Sequence, residues 1–207
     1  MRREFPFKIK IIRSNRQTTN LSVVADTAVI RTNLVTTDRF IEELLVKHKS
    51  WITKQLLINQ EKEEHFLLLG KKYRIEKIAS EKYGYQFKDD VLLCYVDDEK
   101  ELTNIYDDIY FAHQEKLKTI IQHCLDNFPL KPKEIRIKRL SKTYGICHNN
   151  KKISINLYVL KYSREFIEMV IYHELCHLQE MNHSAKFYQL LQKYAPNYRE
   201  LKKEART

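Results

Sequence analysis

The sequence predicts an α+β protein on three observations. Alternating apolar and polar runs fill its first part, as half-buried strands require. Two later segments, Thr103–Asn127 and the stretch after Ser163, carry apolar residues at helical spacing. Hydrophobic residues make up 43% of the 207, with three glycines and four prolines. That is enough for a packed core, with too few breakers for a linker-rich, collagen-like or disordered chain.

Phe7–Ile11 and Leu21–Val23 alternate as strands, and Ala28–Ile30 is a short third one. Asp38 is placed to cap one helix running through Phe40, Ile41, Leu44, Leu45, His48, Trp51, Ile52 and Leu56. Glu42 and Glu43 lie early in it and Lys54 late, as the helix dipole favours. Strands follow at Phe66–Leu69 and Tyr73–Ile78, then at Tyr83–Phe87 and Val91–Val96 around Asp89-Asp90. The acidic cluster Asp97–Glu101 marks the expected boundary between an N-terminal β-rich portion with one helix, residues 1–98, and a second domain, residues 99–207. That domain opens with a long helix, Thr103–Asn127, which Pro129 and Pro132 end. Glu134–Leu140 alternates as a strand, and Thr143–His148 and Ile153–Leu157 form a pair around Asn149-Asn150-Lys151. Ser163 caps the next helix, and Ser184 a further one that stops before Pro196.

No apolar run approaches the roughly 20 residues that span a bilayer, and the basic start MRREFPFKIKII lacks a signal-peptide apolar block. A soluble cytoplasmic protein without a membrane partner is expected. Cys94, Cys124, Cys147 and Cys176 are widely spaced, with no Cys-x-x-Cys pair, which disfavours a disulfide framework or a four-cysteine zinc site. The formal net charge of +10 favours acidic partners. Lys131, Lys133, Arg136, Lys138, Arg139 and Lys142 gather around one strand with Glu134 as the single acid. They read as a solvated face, with nucleic acid as the partner such a surface offers.

Chemistry concentrates in IYHELCHLQEMNHS, residues 171–184, which holds three of the eight histidines. His173-Glu174-Leu175-Cys176-His177 is His-Glu-x-x-His. On a helix, residues i and i+4 share a face, so both imidazoles reach one ion. Glu174 lies about 100° further round, where its carboxylate reaches a water without being a ligand. The surrounding helix is apolar almost all round: Phe166, Met169 and Val170 lie on the histidine side, and Ile167, Ile171, Leu175 and Leu178 across from it. Only Glu168, Tyr172 and Gln179 form a polar strip. A buried helix must satisfy its polar groups, and a metal does that.

His183 follows His177 by six residues. On an unbroken helix it lies about 9 Å further along the axis, too far to share the ion. It joins the pair only if the helix ends first, and Asn182, tolerant of the left-handed conformation, offers the turn. Glu180 competes for the third position, because it continues the histidine face. Turn chemistry favours His183. Three neutral nitrogens with one open position form a catalytic zinc pattern, suited to hydrolysis of a peptide or another carbonyl or phosphoryl substrate.

HELCHLQEMNHSAKFYQLL resembles the YgjP-like metallopeptidase family, relatives of the SprT-like zinc proteases. The upstream stretch KTYGICHNNKKISINLYVL resembles the family's strand pair, usually Arg-Trp-Gly-Ser-Cys followed by Ile-Ser-Leu-Asn. The opening, from IKIIRSNRQTTNLSVVAD to the Trp51 helix, is similar as well. The resemblance implies zinc held by His173, His177 and His183, Glu174 as general base, and peptide or protein substrates. It also implies a zincin-like metallopeptidase core of long helix, small sheet and His-Glu-x-x-His helix. Thr143–Cys147 is then the edge strand that binds extended substrate. Thr143, Tyr144 and Ile146 depart from the family's Arg, Trp and Ser. Tyr144 reads as a packed aromatic, with an oxyanion donor as its catalytic alternative. Two other functions are weighed. One is a zinc-dependent UTP pyrophosphatase, for which no Gly-rich phosphate loop is visible; the other is a basic nucleic-acid-associated protein with a structural metal, since SprT-like proteases act near DNA.

Overall fold

The structure is a computed structural model that describes residues 4–205, apart from the side chains of residues 62 and 63. The fold is α+β. The chain divides into two compact units, Met1–His65 and Phe66–Thr207.

In the first unit, β1 (Lys8–Arg13), β2 (Asn20–Val24) and β3 (Thr27–Thr32) form a sheet in the order β1-β3-β2. β1 runs parallel to β3, and β2 antiparallel to it. The single helix expected here is two, α1 (Asp38–Lys47) and α2 (Lys49–Glu64), parted at His48. Thr37, not Asp38, is the cap: its side chain accepts the Phe40 N–H at 3.3 Å. Asp38 becomes the first-turn acid. Ile41 and Leu45 of α1 and Ile52 of α2 share one buried cluster with Ala28 and Ile30 of β3. The alternating run in β1 is not half-buried as expected: Ile9 and Ile11 are exposed, and the buried strand of this sheet is the central β3.

The second unit opens with β4 (His65–Leu68), β5 (Lys71–Ala79), β6 (Gly84–Lys88) and β7 (Val91–Val96), ordered β4-β5-β7-β6. Phe66, Leu68, Leu92, Cys94 and Val96 pack in the same core as Leu102, Ile105 and Ile109. The division therefore falls at His65 and not at the acidic cluster, which starts a helix. Asp98 caps α3 (Glu99–Ala112) by accepting the Glu101 N–H at 2.8 Å, and Glu101 reaches back to the Asp97 N–H. The long helix predicted over Thr103–Asn127 is broken at His113 into α3 and α4 (Gln114–Asp126). The His113 ring donates to the Ile109 carbonyl at 2.8 Å, an oxygen that also takes the His113 backbone N–H.

β8 (Glu134–Lys138), β9 (Gly145–Cys147) and β10 (Lys152–Asn156) form the third sheet, ordered β8-β10-β9. β10 is the central strand, parallel to β8 and antiparallel to β9. Asn156 ends it, buried, donating to the Leu140 and Thr143 carbonyls at 2.8 Å each and accepting the Leu140 N–H at 3.2 Å. One amide thus pins the loop that delivers β9. A 3-10 turn, Leu157–Lys161, leads to α5 (Arg164–Cys176), then α6 (Ala185–Tyr194) and α7 (Tyr198–Glu204).

Ser163 and Ser184 cap α5 and α6 as predicted, accepting from Phe166 and Phe187 N–H groups. α5 is the middle of the unit: it packs against α4, α6, α7, β9 and β10. Phe166, Ile167, Met169, Val170, Ile171, Leu175 and Cys176 are all buried. Tyr172, expected on a polar strip, is buried as well and stacks on Tyr194. Among the described residues no helix is long and apolar enough to cross a membrane.

Candidate metal centre

α5 ends inside the His-Glu-x-x-His pattern. Cys176 is its last residue, and His177 is the C-cap, still in right-handed helical conformation with φ −66° and ψ −14°. His173 and His177 therefore keep the shared face that i, i+4 spacing gives. Tight turns close the chain at once: Leu178 N–H donates to Leu175 O at 3.0 Å, and Glu180 N–H to Cys176 O at 2.9 Å. The break thus precedes Asn182, which does not take the left-handed conformation expected of it. The Ser184 N–H donates to Asn182 O at 2.7 Å, and the reversal carries His183 back over α5.

The result is one cluster. Ring nitrogens of His173, His177 and His183 lie within 4.8 Å of one another. The Nε2 atoms of His173 and His183 are 2.9 Å apart. The side chain of Glu180 is not in this group; its carbonyl instead accepts from His177 Nδ1 at 3.0 Å. That bond leaves Nε2 of His177 as the lone-pair nitrogen.

Phe187, the fourth residue after His183, is fully buried beneath the three imidazoles, with centroid distances of 4.8, 4.6 and 4.8 Å to His173, His177 and His183. Its ring is the floor that sets their heights. Phe187→Ala is expected to cost about 3–5 kcal/mol of stability in urea unfolding, because a large cavity opens under the site. A loss near zero would show that the ring is not part of the core.

The donor set suits a divalent metal. Burial, with the neighbouring His177 and His183 and the Lys202 charge, pushes His173 down to about 3. His183 is also lowered, first by burial. These shifts favour the neutral rings of His173 and His183, the form that ligates. Two nitrogens on a tetrahedral zinc stand about 3.3 Å apart, close to the spacing between His173 and His183.

Glu174 is buried beside the cluster, and burial raises its carboxyl to about 7, with the Cys147 backbone N–H pulling the other way. β9 explains that contact. Asn156 N–H donates to Tyr144 O, and His148 N–H to Lys152 O. Residues 144, 146 and 148 therefore turn their backbone groups to β10, and 145 and 147 turn theirs away, toward α5. Gly145 stands so close that a Cβ there meets Glu174 Cγ at 2.7 Å. Gly145 opens β9, and it is crowded in a way that Gly84, which opens β6, is not: a Cβ at Gly84 meets nothing within 4 Å.

Tyr144 is partly exposed; its hydroxyl is 3.1 Å from that of Tyr162, and its ring meets Phe166 edge-on. Cys176 is fully buried, and burial pushes its thiol to about 12; Cys147 is half-buried beside Glu174. Neither belongs to the histidine group. In the basic strand region, Arg136 and Lys152 both pair with Glu134, and Arg139 with Asp107. A cavity of about 480 Å³ opens beside the centre, lined by Tyr144, Gly145, Phe166, Met169, Val170, His173 and Glu174, with Lys142 and Lys202.

No curated protein matches the chain. Similar solved structures include two metallopeptidase zymogens. The metallopeptidase zymogen abylysin of Pyrococcus abyssi is 22% identical, covers 42% of this chain and 89% of its own, with a TM-score of 0.38. The metallopeptidase zymogen jannalysin of Methanocaldococcus jannaschii is 25% identical, covers 43% and 86%, with a TM-score of 0.37. Residues 17–207 match the family described as YgjP-like, metallopeptidase domain, so the match takes in both units and every residue of the centre. The chain belongs to the YgjP-like metallopeptidase family.

Proposed function

We propose that this metallopeptidase is zinc-dependent and hydrolyses peptide bonds, with His173, His177 and His183 as ligands and Glu174 as general base. The observation that carries this reading is the convergence of three imidazoles beside a buried glutamate that an edge strand packs against. A divalent metal there supplies Lewis acidity. Glu174 takes a proton from the attacking water. As the new C–O bond forms and the C–N bond breaks, the same carboxyl returns that proton to the leaving amine. The outward backbone edge of β9 pairs with an extended substrate strand. Tyr144 serves as a wall of the adjoining cavity, because its hydroxyl is engaged with Tyr162.

Metal content tests the ligand assignment. Purified protein is expected to hold about one zinc per chain by elemental analysis, and zinc removal to lower its melting temperature. His177→Ala is expected to lose the metal with the fold retained. A metal-free preparation with an unchanged melting curve on zinc addition would contradict the reading.

A further inference from the structure

The cavity beside the centre has two kinds of lining. Its inner wall is apolar: Phe166, Met169 and Val170 are buried side chains along α5 toward His173, with the Tyr144 ring edge-on to Phe166. The other lining is cationic. Lys202, half-buried on α7, places its ammonium over the rings of Tyr188 and Tyr198 at 5.5 and 5.7 Å. Lys142 enters from the loop before β9. Among the described residues neither lysine makes an ion pair, and the one acid that lines the cavity is Glu174, the proposed base.

A half-buried lysine beside a stacked tyrosine pair, with no carboxylate partner, leaves its charge to be met by a bound anion. Size and polarity narrow the ligand. The apolar wall accepts a large hydrophobic side chain, and two separate ammonium groups suit a carboxylate beside it. A polyphosphate fits less well, since a phosphate cradle needs backbone N–H groups. The one glycine at the site, Gly145, is pressed against Glu174 and opens no such loop.

We propose that this cavity receives a large apolar side chain of the substrate, and that Lys142 and Lys202 bind a carboxylate on the same or the next residue. This rests on the peptidase reading and names its substrate class. The carboxylate comes from a free C-terminus or from an acidic side chain, and the test separates the two.

Binding to the zinc-loaded full chain is measured by calorimetry, using N-acetyl-phenylalanine against its amide, and N-acetyl-Phe-Glu-amide against N-acetyl-Phe-Gln-amide. At least one acid is expected to bind about tenfold tighter than its neutral partner, and the pair that shows it identifies the source. N-acetyl-alanine is expected to bind more weakly than N-acetyl-phenylalanine. The double variant Lys142→Met, Lys202→Met should lose the acid preference with zinc content and melting temperature kept, and arginine at both positions should restore it. Equal binding of acids and neutral partners by wild type, or a preference that survives the double methionine variant, overturns the inference. So does UTP binding through the same lysines more tightly than any peptide acid. Wild type that cleaves peptides without acid preference overturns this inference alone. Wild type that holds no metal and cleaves no peptide overturns the parent reading and this one with it.

Discussion

Glu174→Gln is expected to lower peptide hydrolysis by about 10²–10⁴-fold while the zinc content stays at the wild-type level. The substitution keeps the shape of the side chain and removes its capacity to take a proton. The amide keeps the packing against Gly145, so the contact between α5 and β9 survives. Burial already disfavours the carboxylate anion at this position, and the neutral amide removes that cost. The variant should therefore melt no lower than wild type. Activity measured on one peptide, with metal analysis and a melting curve on the same sample, gives all three readings. Retained hydrolysis would remove Glu174 from its role. Lost zinc would make it a ligand instead.

Gly145→Ala should reduce activity by about 10²-fold, the penalty for displacing a catalytic group by about an ångström. The added methyl meets Glu174 Cγ at 2.7 Å and both Cδ and Oε1 at 3.0 Å, all closer than side-chain carbons settle. Gly145 does not have a positive φ, so backbone strain plays no part. Either the glutamate swings away or β9 retreats from α5. A double-mutant cycle separates this from a general loss of structure. Gly145→Ala in the Glu174→Gln background should add little further loss if it acts only through the carboxylate. Additive losses would show that Gly145 acts on something else, such as substrate pairing along β9.

Local rules made much of the site readable. The helical period alone places His173 and His177 on one face and sets Glu174 apart. The two serine caps were legible because a cap is a contact between residues three apart. Helix continuity was less legible. Apolar spacing runs unbroken through His48 and through His113, yet the chain bends at both. Spacing records which face is buried and not whether the axis stays straight. The first unit's boundary was hidden for a similar reason: an acidic cluster marks a linker or a helix start equally well, and packing against β7 makes this one a start.

By itself the sequence determined the pair of histidines, the glutamate beside them, the capped helix that carries them and the family. Only the tertiary structure decided the rest. It brings His183 within 2.9 Å of His173, seats all three rings on Phe187, and presses Gly145 against Glu174. It also gathers Lys142 and Lys202, sixty residues apart, at one cavity. The physical reason is range. Backbone periodicity and capping act over three or four residues, whereas the turn after His177 and the approach of β9 depend on how separate elements fill one core.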